Sequence, residues 1–146
     1  RCEFLVSGHA GATPRALTKV ASGGELARIS LAIAVITAQI TPVPTLIFDE
    51  VDSGIGGAVA EVVGRLLRRL GTSRQVLCVT HLPQVAACCN NQWKVMKKTE
   101  HGETVSHLTD LTPAERVDEI ARMAGGTVIT EATRSAAAEM LAAAEK

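Results

Sequence analysis

The sequence predicts an α/β fold, a mostly parallel sheet flanked by helices, and three observations carry that prediction. Strand-like and helix-like stretches alternate along the first ninety residues, which is the pattern of parallel strands joined by helical crossovers. Hydrophobic residues make up 47% of the 146-residue chain while aromatics make up only 2%, so the core must be built from Val, Leu, Ile and Ala. Short apolar runs of four to six residues are bounded by Gly, Pro, Asp and Thr, as buried strands are.

The elements follow in order. Residues 2–6 read as a strand, and the Gly-, Pro- and Ser-bearing stretch "SGHAGATPRALTKVASGG" as irregular. Residues 24–40 read as a helix that is apolar almost all round, hence buried on most sides. "TPVP" ends it. Residues 45–49 form a short, continuously apolar strand, and residues 57–70 an amphipathic helix capped by Gly71. Residues 75–80, "QVLCVT", are a second buried strand, and Pro83 lies in the first turn of the next helix. "QWKVMKKTE" and "ETVSHLTDL" pair as a half-exposed hairpin about His101-Gly102. A helix then starts at the N-cap Thr112, with Pro113 at N1 and Glu115 completing a capping box, and stops at Gly125-Gly126. An Ala-rich helix over 130–145 closes the chain.

Composition excludes several function classes. Fifteen basic and fifteen acidic residues cancel, so charge alone makes no case for nucleic acid or a membrane surface. Arg65, Arg68 and Arg69 share a helix face, for which a solvated surface is a plainer account than a phosphate contact. Cys2, Cys78, Cys88 and Cys89 contain no C-x-x-C pair, so neither a zinc ribbon nor an oxidising compartment is called for. No signal peptide or membrane-spanning run is evident, and the expected location is cytoplasmic. The chain begins at Arg1 and enters a strand-like run at once, which suggests a piece of a longer protein.

Three constellations can carry chemistry. The strand "TLIF" runs into Asp49-Glu50. Carboxyl ends of parallel strands are where ligands bind. Asp49 is placed to hold Mg²⁺ directly or through water, and Glu50 to polarise a water, unless the pair merely caps the strand exit. Ser22-Gly23-Gly24, before a long helix, can offer N–H groups and a hydroxyl to a phosphate, although a lone S-G-G-E is more simply an N-cap. His81 follows the second strand and should emerge on the same edge as Asp49, where it can bond a phosphate or hold a water. A dinucleotide fingerprint at Gly54-Ile55-Gly56 fails because Val59 takes the third glycine position. A Ser22/His81/Asp49 triad lacks a G-x-S-x-G elbow.

In combination, the order S-G-G-E, then D-E, then T-H resembles the ABC-type ATPases. Ser22-Gly23-Gly24-Glu25 matches the signature motif, Leu46–Glu50 Walker B, Val51–Gly57 the D-loop, and His81 the switch histidine. Within that superfamily "ASGGELARISLA", "TLIFDEVDSGIGG", "QVLCVTHLPQVAA" and "EIARMAGG" resemble the RecN family of SMC-like ATPases in bacterial DNA repair. The resemblance implies a P-loop-NTPase-like fold and makes residues 1–146 the C-terminal portion of an ATPase head. No G-x-x-x-x-G-K-[ST] occurs, so the P-loop half and the coiled coil would lie outside this stretch, which alone should not turn over ATP. It further implies ATP and Mg²⁺ as cofactors. Asp49 would be the metal ligand and Glu50 the general base. His81 would sense the γ-phosphate. Ser22, Gly23, Gly24, Glu25 and Asp52 would bind nucleotide across a head–head interface. The implied partners are the P-loop half of the same protein, a second head and DNA, with no membrane and a place at the nucleoid. Two other classes remain open: a transporter-type ABC subunit, and a non-catalytic dimerisation module.

Overall fold

The computed structural model describes residues 3–7, 10–19, 23–40, 42–49, 52–125 and 128–145, with the side chains of Thr18 and of residues 23–28 outside that description. Strands β1 (Leu5–Val6) and β2 (Arg15–Ala16) are followed by a 3-10 turn over Leu17–Lys19 and helix α1 (Gly23–Ile40). Then come β3 (Thr45–Phe48), α2 (Gly57–Leu70), β4 (Gln75–Cys78) and α3 (Pro83–Cys88). The hairpin β5 (Trp93–Glu100) and β6 (Glu103–Asp110) leads into α4 (Pro113–Gly125) and α5 (Glu131–Ala144).

The parallel element is β3 beside β4, in register from Thr45 opposite Gln75 to Phe48 opposite Cys78. The ladder extends one bond further, from the Val79 N–H to the Phe48 carbonyl at 2.9 Å. The expectation that the first strand joins this sheet is corrected: β1 pairs antiparallel with β2, a short partner hidden in the stretch read as irregular. The strand over 45–49 is not buried throughout. Leu46 and Phe48 pack inward, while Ile47 is 71% exposed. Among the described residues one face of β3 has a helical layer against it, so its pleat divides inside from outside.

Helix α1 departs from expectation in the same way. Val35 and Ala38 are buried, but Ile36 and Ile40 are 61% and 80% exposed. One stripe packs on α2, with Leu31 partly buried beside it, while Ile36 and Ile40 stand open. At its C-terminal end, the Arg74 guanidinium donates to the Ala38 carbonyl and ties α1 to the start of β4.

Two hydrophobic clusters make the core. The first joins Val35 and Ala38 of α1, Ala60, Val63, Leu67 and Leu70 of α2, and Val85 of α3, with Leu46, Phe48, Val76 and Cys78 of the sheet against them. The second joins Ala86, Ala87 and Cys88 of α3 to Ile120 and Ala121 of α4 and Ala137 and Ala144 of α5. The six residues of α3 thus serve both. Helix α2 ends at Gly71 as expected, but in the right-handed conformation (φ −64°), and Thr72 and Ser73 close the turn with bonds to the Arg69 and Leu70 carbonyls.

The C-terminal third follows its local signals closely. The hairpin turns at His101 and Gly102, both at positive φ (52° and 86°), as a two-residue turn matched to strand twist requires. Thr112 caps α4: its N–H donates to Glu115 Oε2 at 2.8 Å and its Oγ1 accepts from the Glu115 N–H at 3.3 Å. A second reciprocal cap, Thr130 with Thr133, starts α5. Buried Glu119 accepts from Lys94 Nζ and Arg122 at 2.6 Å each, pinning the hairpin to α4. Burial raises the Glu119 carboxyl, but its two cationic partners outweigh this and hold it below the usual range.

Helix α2 packs closely on α3 at Gly64, where an added Cβ would lie 2.8 Å from Cys88 Sγ and 3.1 Å from the Gln84 carbonyl oxygen. Gly64→Ala is expected to destabilise the chain by about 1–3 kcal/mol, since backbone on one side cannot yield. Gly56→Ala, which meets nothing within 4 Å at a φ of −172°, should leave stability nearly unchanged. Urea unfolding of the two variants checks the contrast.

Candidate functional site

The parallel pairing of β3 with β4 decides where the candidate residues emerge. Phe48 lies opposite Cys78, so the chain leaves both strands at one edge. Asp49 follows β3 directly and is exposed. His81 follows β4 by three residues, with its side chain 75% exposed. The expected sharing of an edge by Asp49 and His81 is therefore what the register produces. Among the described residues no three metal-ligating side chains converge. One exposed carboxylate at a strand end fits Mg²⁺, which keeps waters and phosphate oxygens as most of its ligands.

Asp52 behaves differently from its neighbour three residues earlier. It is 2% exposed, and its Oδ2 faces the turn after β4. The Thr80 hydroxyl donates to that oxygen. So do the His81 N–H at 2.8 Å and the Leu82 N–H at 3.2 Å. His81 Nδ1 lies 3.2 Å from the same atom. Burial pushes the Asp52 carboxyl up, but the Thr80 hydroxyl, the His81 N–H and the His81 ring more than offset it, and the group sits below the ordinary carboxylate range. Asp52 was expected to face a second head; its carboxylate points into its own chain, which leaves the backbone of 53–57 for any contact outward. That backbone is unusual. Gly54 and Gly57 hold φ of 73° and 53°, conformations that other residues adopt only with strain. Nothing lies within 4 Å of a Cβ added at Gly56 or Gly57.

The signature residues are placed in part. Gly23, Gly24 and Glu25 form the first turn of α1. Ser22 and Glu50 lie outside the described residues. Thr80 and the Leu82 N–H were missed as site groups; the Thr-His pair directly after an apolar strand was the available signal. The arginines of α2 have internal roles: Arg65 pairs with Glu61 at 2.9 Å, and Arg68 donates to the Cys88 carbonyl at 3.0 Å. The thiols of Cys78, Cys88 and Cys89 are held in their protonated form by burial. Burial pushes Cys78 up to about 12 and raises Cys88 and Cys89 as well. No described helix is long and apolar enough to cross a membrane.

Comparison with known proteins adds sequence and fold. No protein-family model matches the chain. The DNA repair protein RecN of Vibrio cholerae is 56% identical over 141 residues, 97% of this chain and 26% of that protein. RecN of Bacillus subtilis is 40% identical over 144 residues, 99% of this chain and 25% of that one. The chain thus spans about a quarter of the length of these relatives. Among solved structures, one from work on ATP-driven dimerization and DNA-stimulated activation of SMC ATPases superposes with a TM-score of 0.65 at 21% identity, over 82% of this chain and 71% of that one. The SMC head domain of Thermotoga maritima superposes with a TM-score of 0.53 at 29% identity, over 70% of this chain and 37% of that one. The fold is that of a segment of an SMC ATPase head.

The depressed Asp52 carboxyl fixes the sign of a pH effect. Its contribution is fully present above the ordinary carboxyl pKa, about 4, and is lost as pH falls through the lower folded value. Asp52→Asn is expected to cost about 2 kcal/mol near neutrality, the scale of hydrogen bonds to a buried charge. The gap to the unaltered chain should narrow in acid. Urea unfolding from about pH 6 down to about pH 3 tests this.

Proposed function

We propose that this chain, which belongs to the RecN family of DNA repair proteins, is the part of an ATPase head that supplies the signature, the Walker B acids and the switch histidine for ATP hydrolysis. The observation that carries the reading is the shared edge of β3 and β4, where Asp49 and His81 emerge together. The reaction is attack of water on the γ-phosphorus of ATP with departure of ADP. Glu50 takes the proton from that water. His81 bonds the γ-phosphate. Asp49 orients Mg²⁺, which neutralises phosphate charge when bound.

Gly23 and Gly24, at the start of α1, with Ser22 before them in sequence, present N–H groups and a hydroxyl to the γ-phosphate held by a second head. The glycines of the loop over 52–57 give the backbone room for close approach at that interface. The cradle for the remaining phosphates comes from a P-loop half of the same protein. The exposed apolar surface of α1 and β3, at Ile36, Ile40 and Ile47, supports a covering layer supplied by that half. The complete protein works on DNA, at the nucleoid, in repair of double-strand breaks.

In the full-length protein, Glu50→Gln is expected to retain ATP binding and head engagement while lowering turnover by about 100-fold or more, the scale of a lost general base. Steady-state hydrolysis with an ATP-binding assay measures it, and unaltered turnover removes Glu50 as the base. Ser22→Arg should block ATP-dependent head engagement, read by sedimentation, while the same head still binds ATP. Normal engagement contradicts contact in trans.

A further inference from the structure

The proposed chemistry asks for no carboxylate at position 52, yet Asp52 is among the most deeply buried of the described side chains. A buried carboxylate persists only where donors surround it. Here Thr80, His81 and Leu82 supply them, about thirty residues further along the chain. The carboxylate thus grips His81 twice, at its backbone N–H and near its ring Nδ1. The rest of the ring is exposed.

A carboxylate can only accept, so the proton on the nearer ring nitrogen belongs at Nδ1. That leaves Nε2 as the ring atom turned to solvent, on the edge that bears Asp49. Orientation of a working imidazole through its other nitrogen is a general device of metal and hydrolytic sites. Thr80 completes the grip, since its hydroxyl donates to Asp52 and accepts from the Leu82 N–H at 3.1 Å.

We propose that Asp52 is a positioning residue for His81: it fixes the backbone, the tautomer and the ring direction, so that Nε2 faces the phosphate. The proposal rests on the role assigned to His81 above. The effect of Asp52 on the reaction passes through the imidazole.

A double-mutant cycle on the full-length protein tests it. Asp52→Asn keeps the shape of the side chain but loses the charge and the all-acceptor character. It is expected to lower kcat by about 10- to 100-fold, the cost of a misdirected reacting group. KM for ATP should stay within about twofold, because the ring and not the nucleotide cradle is disturbed. In the background of His81→Ala the substitution should change kcat no further. A product of the two single effects in the double variant overturns the proposal. Wild-type kcat in Asp52→Asn beside a slow His81→Ala overturns it while leaving the His81 role intact. Wild-type kcat in His81→Ala overturns both. Where Asp52→Asn does not fold, Thr80→Val, which removes one donor and keeps the carboxylate, goes through the same cycle with the same criteria.

Discussion

The acceptance of three hydrogen bonds by one oxygen, Asp52 Oδ2, is the constraint on which the rest of the site depends. The loop after β3 and the turn after β4 are far apart in sequence, and among the described residues the ladder's last bond is the one from Val79. The carboxylate ties them. It holds the residues that lead into α3, whose N-cap, Leu82, has no side chain that can cap a helix. A six-residue helix does not stand alone in water, so its place is set by what grips it at both ends.

The other end is gripped by cations. The carbonyls at the C-terminus of α3 have no intrahelical partners. Arg68 reaches the Cys88 carbonyl at 3.0 Å, and Arg116 reaches the Cys89 and Asn90 carbonyls at 2.7 and 3.1 Å. Positive charge is favoured there by the helix dipole as well. Because α3 contributes Val85 to one cluster and Ala86 to Cys88 to the other, these contacts align two cores with each other and with the edge that carries His81. Arg68 reads from the sequence as surface charge and works in the structure as a helix cap.

Local signals were legible in the sequence, and long-range ones were not. The Thr112–Glu115 box, the His101-Gly102 turn and the bounds of α2 depend on residues a few positions apart, and each formed where it was read. Burial depends on what lies opposite. An all-round apolar α1 reads as buried on most sides and a continuously apolar β3 as a buried strand, yet among the described residues each is covered on one face. Apolar periodicity reports what a surface can pack against, not whether this stretch of chain provides it. The Asp52 contacts were the hardest to foresee. They require the register that sets Phe48 opposite Cys78, and a shift of one residue would turn Thr80 and His81 to the other side.

Asp49 and Asp52 show how one loop gives two carboxylates opposite work. Both follow the same strand, three residues apart. Asp49 leaves the sheet at its open edge and remains exposed, hydrated and available to a cation or a phosphate-bound metal. Asp52 opens a turn that the Ile55 N–H closes on its carbonyl at 3.2 Å. Its side chain is folded back under the turn after β4, where the Thr80 hydroxyl and the His81 and Leu82 N–H groups donate to it. A side chain enclosed in that way is poorly suited to catching a ligand and well suited to holding a neighbour still. The glycines that follow let the chain reverse at positive φ without burying further side chains, so the loop can carry a fixed carboxylate inward and an open backbone outward.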